Sequence, residues 1–290
     1  MKRRDLLKAA GATLVGSTLF PLGFTAAAEA RGKKQKVLFF TRSNGFEHDA
    51  VKRKGDELGY GEKALIAMGE KAGFEVEATK DGAVFDGDLG KFDLIAFYTS
   101  GDLTKGGKNP GANMSLAGKQ KLLDAVAGGK PFVGFHAATD SFRSKDVDPY
   151  IAMIGAEFVS HGPQQVAKVT TAAPKFPGLA GIESLSLNEE WYAQSKFAKD
   201  LHVILVQETE GMKGDCYARP NFPATWARMH QKGRVFYTSF GHRDDIWTNP
   251  QVQQIILGGM AWALGNVSAD VTPNLDQATP KANELPAAKK

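Results

Sequence analysis

The body of this chain alternates short apolar runs with longer amphipathic stretches, and this alternation limits the fold more than any other feature. Short apolar runs are typical of strands buried on both faces, whereas apolar residues three or four positions apart are typical of helices. Predicted strands cover residues 36–41, 74–79, 94–98, 131–135, 201–207 and 234–240, and predicted helices cover residues 61–72, 115–126 and 250–264. Strands that alternate with helices predict an α/β fold around a mainly parallel sheet.

The first thirty residues have the pattern of an export signal. A basic start containing Arg3 and Arg4 precedes a moderately apolar stretch over residues 6–24, and an Ala-Glu-Ala segment follows. The paired arginines match the twin-arginine (Tat) pattern, so the Tat export machinery is an expected partner. We therefore predict that residues 1–30 are a signal peptide and that the mature protein is exported, to the periplasm or beyond the cell.

The sequence after residue 30 predicts one domain over residues 31–266 and a loosely ordered tail over residues 267–290. The tail contains three prolines in a polar sequence that lacks an apolar period. The single cysteine, Cys216, excludes an internal disulfide and a cysteine-rich zinc module. The formal charge of +4 is not concentrated in basic runs within the domain, which argues against a nucleic-acid partner. No feature of the domain favours embedding in a membrane.

Polar side chains collect where the predicted strands end. His48 follows the first strand, His136 the fourth and His242 the last, and the carboxylates of Asp102 and Asp140 also follow strands. In open parallel sheets ligands bind beyond the carboxyl ends of the strands, so we expect these side chains to meet at one edge. Histidines beside carboxylates predict a site for acid–base chemistry or for a divalent metal ion.

His136 is the central candidate because the segment GFHAA has the pattern of a strand that enters a sharp turn. In the nucleophile elbow this turn holds serine or cysteine, and histidine cannot form a comparable acyl-enzyme. Amidotransferase and esterase chemistry are therefore disfavoured. General-base catalysis and metal binding both remain open for His136, and His48 and His242 are candidates for the same two roles.

Residues 188–192 (NEEWY) place an acidic pair beside two aromatic rings. Glu190 is a candidate catalytic acid or base, and Trp191 is a candidate platform for the apolar face of a sugar. The other candidates for substrate binding are Asp102, Asp140 and His161. The sequence contains neither a Walker-type phosphate loop nor a dinucleotide fingerprint nor a His-Glu-x-x-His motif.

Six segments carry a family resemblance: KVLFFTRSNGFEHDAV, FDLIAFYTSGD, GGKPFVGFHAATDSF, YIAMIGAEFVSHGPQQ, NEEWY and GRVFYTSFGHRDDIWTNPQVQQIILGGMAWALG. In this order they resemble the trehalose-utilisation (ThuA-like) family, part of the class I glutamine amidotransferase-like superfamily. The resemblance covers about residues 36–265. It implies a flavodoxin-like three-layer α/β sandwich with a mainly parallel sheet. It implies no glutaminase activity, because His136 stands where the amidotransferases have their cysteine.

The resemblance also implies a role in carbohydrate metabolism, including steps through 3-keto-sugars. Glu190 matches the family's glutamate, whereas Glu189 stands in the place of the family's aspartate. For some members the resemblance implies a divalent metal ion held by histidines of this edge, which makes His48, His136 and His242 candidate ligands. The residues that we carry over from the family as site residues are His48, His136, His161, Glu190 and His242.

Two functional hypotheses that involve a carbohydrate follow from these observations, and metal-dependent hydrolysis of a non-sugar substrate is a third alternative that the sequence leaves open. The first is an exported enzyme, of lyase, isomerase or hydrolase type, that acts on a glycoside or 3-keto-sugar. It would use His136, Glu190, His48 and His242 for acid–base or metal-assisted chemistry. The alternative is a periplasmic sugar-binding or accessory module without catalysis, in which the same side chains bind hydroxyl groups. A small-molecule carbohydrate is the expected partner in both cases.

Overall fold

A computed structural model describes residues 32–286, and the predicted signal peptide therefore lies outside the described residues. The strands are β1 (Gln35–Phe40), β2 (Phe74–Thr79), β3 (Leu94–Phe97), β4 (Phe132–Phe135), β5 (Glu157–His161), β6 (Gln165–Thr171), β7 (Ser184–Glu189), β8 (Tyr192–Ser195), β9 (His202–Gln207), β10 (Phe222–His230) and β11 (Gly233–Thr238). The α-helices are α1 (Tyr60–Ala72), α2 (Leu116–Ala127), α3 (Pro149–Ile154), α4 (Asp244–Thr248), α5 (Pro250–Ala263) and α6 (Leu275–Ala278).

A mixed sheet forms the centre of the fold. Its strand order is β2-β1-β3-β4-β11-β10-β9-β6-β7 across the described residues. The pairs from β2 to β11 are parallel, and the pairs from β11 to β7 are antiparallel. Strands β5 and β8 form a separate antiparallel pair. The predicted α/β fold is confirmed, and the antiparallel extension adds strands that the apolar runs did not reveal.

Helices cover both faces of the sheet, as close contacts in the middle of β11 show. Neighbouring residues of a strand face opposite sides. Phe236 faces α5, where a Cβ added at Gly259 would lie 2.4 Å from the Phe236 ring. On the opposite face, a Cβ at Gly134 of the neighbouring strand β4 would lie 3.0 Å from Tyr237 of β11 and 2.8 Å from Ile154 of α3. Helix α4 packs between α1 and α5, and α2 packs beside α3, so the fold has three layers.

The predicted helices agree with the structure to within one residue at each end, because the chain carries the expected end signals. Helix α1 stops at Gly73, which adopts φ 90°. The Ser115 side chain caps α2 through the Gly118 N–H. The Asn249 side chain caps α5 in the same way, directly before Pro250.

The C-terminal segment is packed against the domain, which corrects our prediction of a loosely ordered tail over residues 267–290. The Asn274 side chain accepts a hydrogen bond from the Val203 N–H at 2.5 Å and donates one to the Val203 carbonyl at 3.1 Å. Leu275 and Ala282 are buried. The hydrophobic periodicity of the sequence does not predict this packing, because a few isolated residues make the contacts and no repeating apolar pattern is present. The segment is described as far as residue 286.

No helix between residues 32 and 286 is long and apolar enough to cross a membrane.

Candidate functional site

Loops beyond the ends of β1, β4 and β11 bring three histidines around the carboxylate that follows β7. One ligand atom from each of His48, His136, Glu190 and His242 lies within 4.8 Å of the others. Glu190 Oε2 is 3.0 Å from His242 Nδ1, 3.4 Å from His136 Nε2 and 3.6 Å from His48 Nε2. We call these four residues the His/Glu cluster. The structure thus brings the four predicted catalytic residues together and adds Glu190 to the three predicted metal ligands.

His136 occupies a strained turn at the end of β4. Its φ of 37° lies in the left-handed region, which costs a residue other than glycine about 1 to 3 kcal/mol. Two contacts hold it there: Nδ1 lies 2.9 Å from the Ser239 carbonyl, and the Tyr237 hydroxyl donates to the His136 carbonyl at 2.7 Å. Because a carbonyl only accepts, Nδ1 carries the proton. Nε2 therefore presents a lone pair to the cluster.

His48 is buried on the loop that follows β1. Its ring stands edge to face against His136 and His242, with centroids 5.0 and 5.3 Å away. The Tyr192 hydroxyl lies 3.0 Å from His48 Nε2, so the imidazole has a protein partner beside the cluster. These contacts fix the orientation of the ring, as a ligand or a catalytic base requires.

Glu189 holds two parts of the site together, a role that its place in the acidic pair of the sequence does not indicate. Its carboxylate is fully buried. It accepts hydrogen bonds from the backbone N–H groups of Glu190 at 2.8 Å, Gly241 at 3.1 Å and His242 at 3.2 Å. Glu189 therefore holds the backbones of two cluster residues in one arrangement. The Tyr60 hydroxyl adds a hydrogen bond to the His242 carbonyl.

Burial and mutual contact set the protonation of the cluster. Burial lowers the pKa of His136 to about 3 and also lowers the pKa of His48, so both imidazoles are neutral. Burial alone would raise the pKa of Glu190, but the surrounding imidazoles hold that pKa far below its ordinary value. Burial also opposes protonation of His242, but Glu190 raises the pKa of that imidazole. The cluster thus combines an ionised carboxylate with two neutral imidazoles and with the imidazole of His242, which holds a proton more readily than an ordinary histidine.

The chemistry of the cluster fits a divalent metal ion. Two of its buried nitrogens beside Glu190, His136 Nε2 and His242 Nδ1, make no hydrogen bond of good geometry within the described structure. His48 turns Nε2 to Glu190, and that atom also lies 3.0 Å from the Tyr192 hydroxyl. Buried polar atoms normally have a partner, and such atoms on two converging rings call for one. Imidazole nitrogens together with one carboxylate oxygen are a ligand set that suits zinc and other first-row transition metals.

His161 lies at the edge of the cluster and is 43% exposed. Its Nδ1 is 2.9 Å from the Gly162 carbonyl and 3.4 Å from Glu190 Oε1. Its ring stacks on Tyr192, with an angle of 12° between the planes. The Nδ1 proton is directed to the Gly162 carbonyl, so Nε2 carries the lone pair. The structure therefore places this predicted substrate-binding residue where solvent and the cluster meet.

The remaining predicted substrate-binding residues lie in three different surroundings. Trp191 is 1% exposed and donates its indole N–H to the Gln165 carbonyl at 3.0 Å. A buried ring offers no open face, which corrects the prediction of Trp191 as a sugar platform. Asp102 accepts hydrogen bonds from the Thr104 N–H and hydroxyl and thereby stabilises its own turn.

Asp140 is close enough to His161 to interact with it electrostatically. Its carboxyl group is buried and lies 2.5 Å from the Arg143 guanidinium. Burial raises the pKa of Asp140 to about 6, in spite of the opposing charge of Arg143. Asp140 therefore borders the exposed side of the site without joining the His/Glu cluster.

Comparison with known proteins agrees with the fold described above. Residues 36–263 match the sequence model of the family described as trehalose utilisation (ThuA). A ThuA-like protein of Bacteroides uniformis superposes with a TM-score of 0.60 at 18% identity, covering 79% of this chain and 91% of that chain. For a ThuA-like protein of Parabacteroides merdae the values are 0.60, 18%, 82% and 93%.

At this level of identity, the two structures show a shared fold. No curated protein matches the sequence. The family match extends over most of the chain and includes every residue of the His/Glu cluster. The chain therefore belongs to the trehalose-utilisation (ThuA-like) family, which suggests a role in carbohydrate metabolism.

Proposed function

We propose that this protein is an exported enzyme of carbohydrate metabolism that acts on a glycoside or 3-keto-sugar at the His/Glu cluster. The observation that carries the proposal is the convergence of three imidazoles on Glu190, two of which, His136 and His242, present a buried nitrogen without a hydrogen bond. Such an arrangement is costly to fold unless a ligand completes it. The family match supports a carbohydrate as the substrate, and the signal-like first thirty residues support export.

In this proposal, His48, His136, His242 and Glu190 would hold a divalent metal ion. The hydrogen bond from His136 Nδ1 to the Ser239 carbonyl leaves the Nε2 lone pair, beside Glu190, available as a ligand. When bound, the ion would supply positive charge beside a substrate carbonyl, which acidifies the neighbouring C–H bond. A 3-keto-sugar carries such a carbonyl, and its reaction then begins with transfer of that proton.

His161 is the residue that accepts the proton. Its Nε2 carries the lone pair, and it is the more exposed imidazole beside Glu190. The C–H bond breaks, the proton moves to Nε2, and the electron pair moves to the carbonyl oxygen. Burial keeps the pKa of the Tyr192 phenol well above its ordinary value, so the phenol keeps its proton, with its oxygen 3.0 Å from His48 Nε2. Isomerisation or elimination of the neighbouring substituent can follow this step.

The test is hydrogen exchange into a methyl 3-keto-glucoside dissolved in heavy water and followed by NMR. The wild-type protein is expected to catalyse exchange at the carbons beside the carbonyl, and His161→Gln is expected to lower the rate about 100-fold. His230→Gln is the matched control, because His230 lies at the end of β10 outside the cluster.

Equal exchange rates in His161→Gln and wild type would contradict the assignment of His161. Saturable sugar binding without exchange or product would instead identify the protein as a binding module. Either outcome would contradict part of the proposed chemistry without contradicting the geometry of the His/Glu cluster.

A further inference from the structure

Phe46 presents an exposed aromatic ring at the edge of the His/Glu cluster. It is 67% exposed, and the other strongly exposed large hydrophobic residues within residues 32–286 are aliphatic. An exposed phenylalanine forgoes the stabilisation that burial of its ring would bring, about 1.5 to 3 kcal/mol. Neither the sequence patterns nor the fold requires such a residue at this position.

The loop that carries Phe46 is held firmly in place. The Ser100 hydroxyl donates to the Phe46 carbonyl at 2.6 Å, and the Gly45 N–H donates to the Ser100 carbonyl at 3.0 Å. The loop also passes so close to the next strand end that a Cβ at Gly45 would lie 3.1 Å from the Gly101 nitrogen. On the other side of Phe46, the Glu47 carboxylate pairs with the buried Lys80 at 3.1 Å. The exposure of the ring is therefore fixed by the fold.

The ring lies directly against one member of the cluster. The centroids of Phe46 and His48 are 4.9 Å apart, and the ring planes meet at 82°. Polar groups also stand at the boundary of the cluster: the exposed imidazole of His161 and the Gln164 amide, which lies 2.9 Å from His242 Nε2. A ligand bound at the cluster would thus meet one apolar surface and several hydrogen-bonding groups.

We propose that Phe46 is the platform of a sugar-binding subsite, on which the apolar C–H face of a pyranose ring stacks. A pyranose has this combination of an apolar face and a polar rim of hydroxyl groups, so its chemistry matches the boundary of the cluster. The inference rests on the proposed function and specifies how its substrate class is recognised. Phe46 takes the role that the sequence suggested for the buried Trp191.

The experiment measures the affinity of methyl α-glucoside and methyl 3-keto-glucoside by NMR titration, with metal content measured on the same samples. Phe46→Ala is expected to weaken binding about tenfold, whereas Phe46→Tyr and Phe46→Trp should retain the affinity within about threefold. Phe46→Leu is the matched control, because leucine keeps an apolar side chain without a flat ring. Metal content is expected to be the same in all variants.

Unchanged affinity in Phe46→Ala would overturn the inference, and wild-type affinity in Phe46→Leu would show that no stacking on a ring is involved. A wild-type protein that holds its metal ion but binds neither probe would also overturn the subsite, while the metal centre would stand. Conversely, sugar binding that depends on the ring in a metal-free protein would support the subsite and contradict the metal part of the proposed function.

Discussion

Replacing Glu189 with glutamine tests whether one buried carboxylate holds the site together. Its two oxygens accept three backbone hydrogen bonds, from Glu190, Gly241 and His242. Glutamine has the same shape but only one acceptor oxygen, so its amide NH2 must face at least one backbone N–H. A buried donor left without its acceptor costs about 1 to 3 kcal/mol, and the conflict between two donors adds to this. We expect Glu189→Gln to lower the free energy of unfolding by about 2 to 4 kcal/mol.

The same change is expected to loosen metal binding, because Glu189 orients the backbones of two proposed ligands. Changes to groups that orient metal ligands commonly reduce affinity about 10- to 100-fold. Urea denaturation measures the stability, and competition with a chromophoric chelator for Zn²⁺ measures the affinity. Glu183→Gln serves as the control, since Glu183 is exposed just before β7. A Glu189→Gln variant with wild-type stability and wild-type zinc affinity would refute this reasoning.

Three further predictions follow from the packing. Burial raises the pKa of Asp140 to about 6, so its contribution to stability is lost as the pH rises from about 4 to 6; Asp140→Asn should flatten that part of the stability curve in urea denaturation. Gly259→Ala should lower the melting temperature, because a Cβ 2.4 Å from the Phe236 ring forces repacking that costs about 1 to 3 kcal/mol. Deleting residues 267–290 should destabilise the domain by about 2 to 4 kcal/mol in urea denaturation, because it removes the docked segment around Asn274 and its buried apolar side chains.

The convergence of the cluster histidines could be predicted from the sequence because it depends on strand ends alone. His48, His136 and His242 each follow a strong apolar run, and these runs form β1, β4 and β11 of the parallel part of the sheet, where only β3 separates β1 from β4. The loops at the carboxyl ends of parallel strands lie at one edge of the sheet, so these three loops meet there. Strand ends do not indicate Glu190, which follows β7 at the far end of the antiparallel half; the acidic pair beside two aromatic residues and the family resemblance make it a candidate.

The features that the sequence did not reveal depend on long-range packing. Trp191 stands beside Glu190 in the chain, but its ring turns into the core, and no local pattern distinguishes a buried tryptophan from an exposed one. The buried Glu189 carboxylate accepts hydrogen bonds from three backbone N–H groups, and two of these, from Gly241 and His242, are distant in sequence. Phe46 lies in a loop with no apolar period, so the sequence alone predicts neither the exposure of its ring nor its contact with His48.

The most direct test of the central claim, that the His/Glu cluster is a metal centre, is elemental mass spectrometry of protein purified without chelators. Wild type and the His230→Ala control are expected to contain about one divalent ion per chain, and His136→Ala is expected to lose it. Circular dichroism on the same samples establishes that each protein is folded. A folded wild-type protein that is free of metal, and remains so after dialysis against zinc, manganese and cobalt, would contradict the claim.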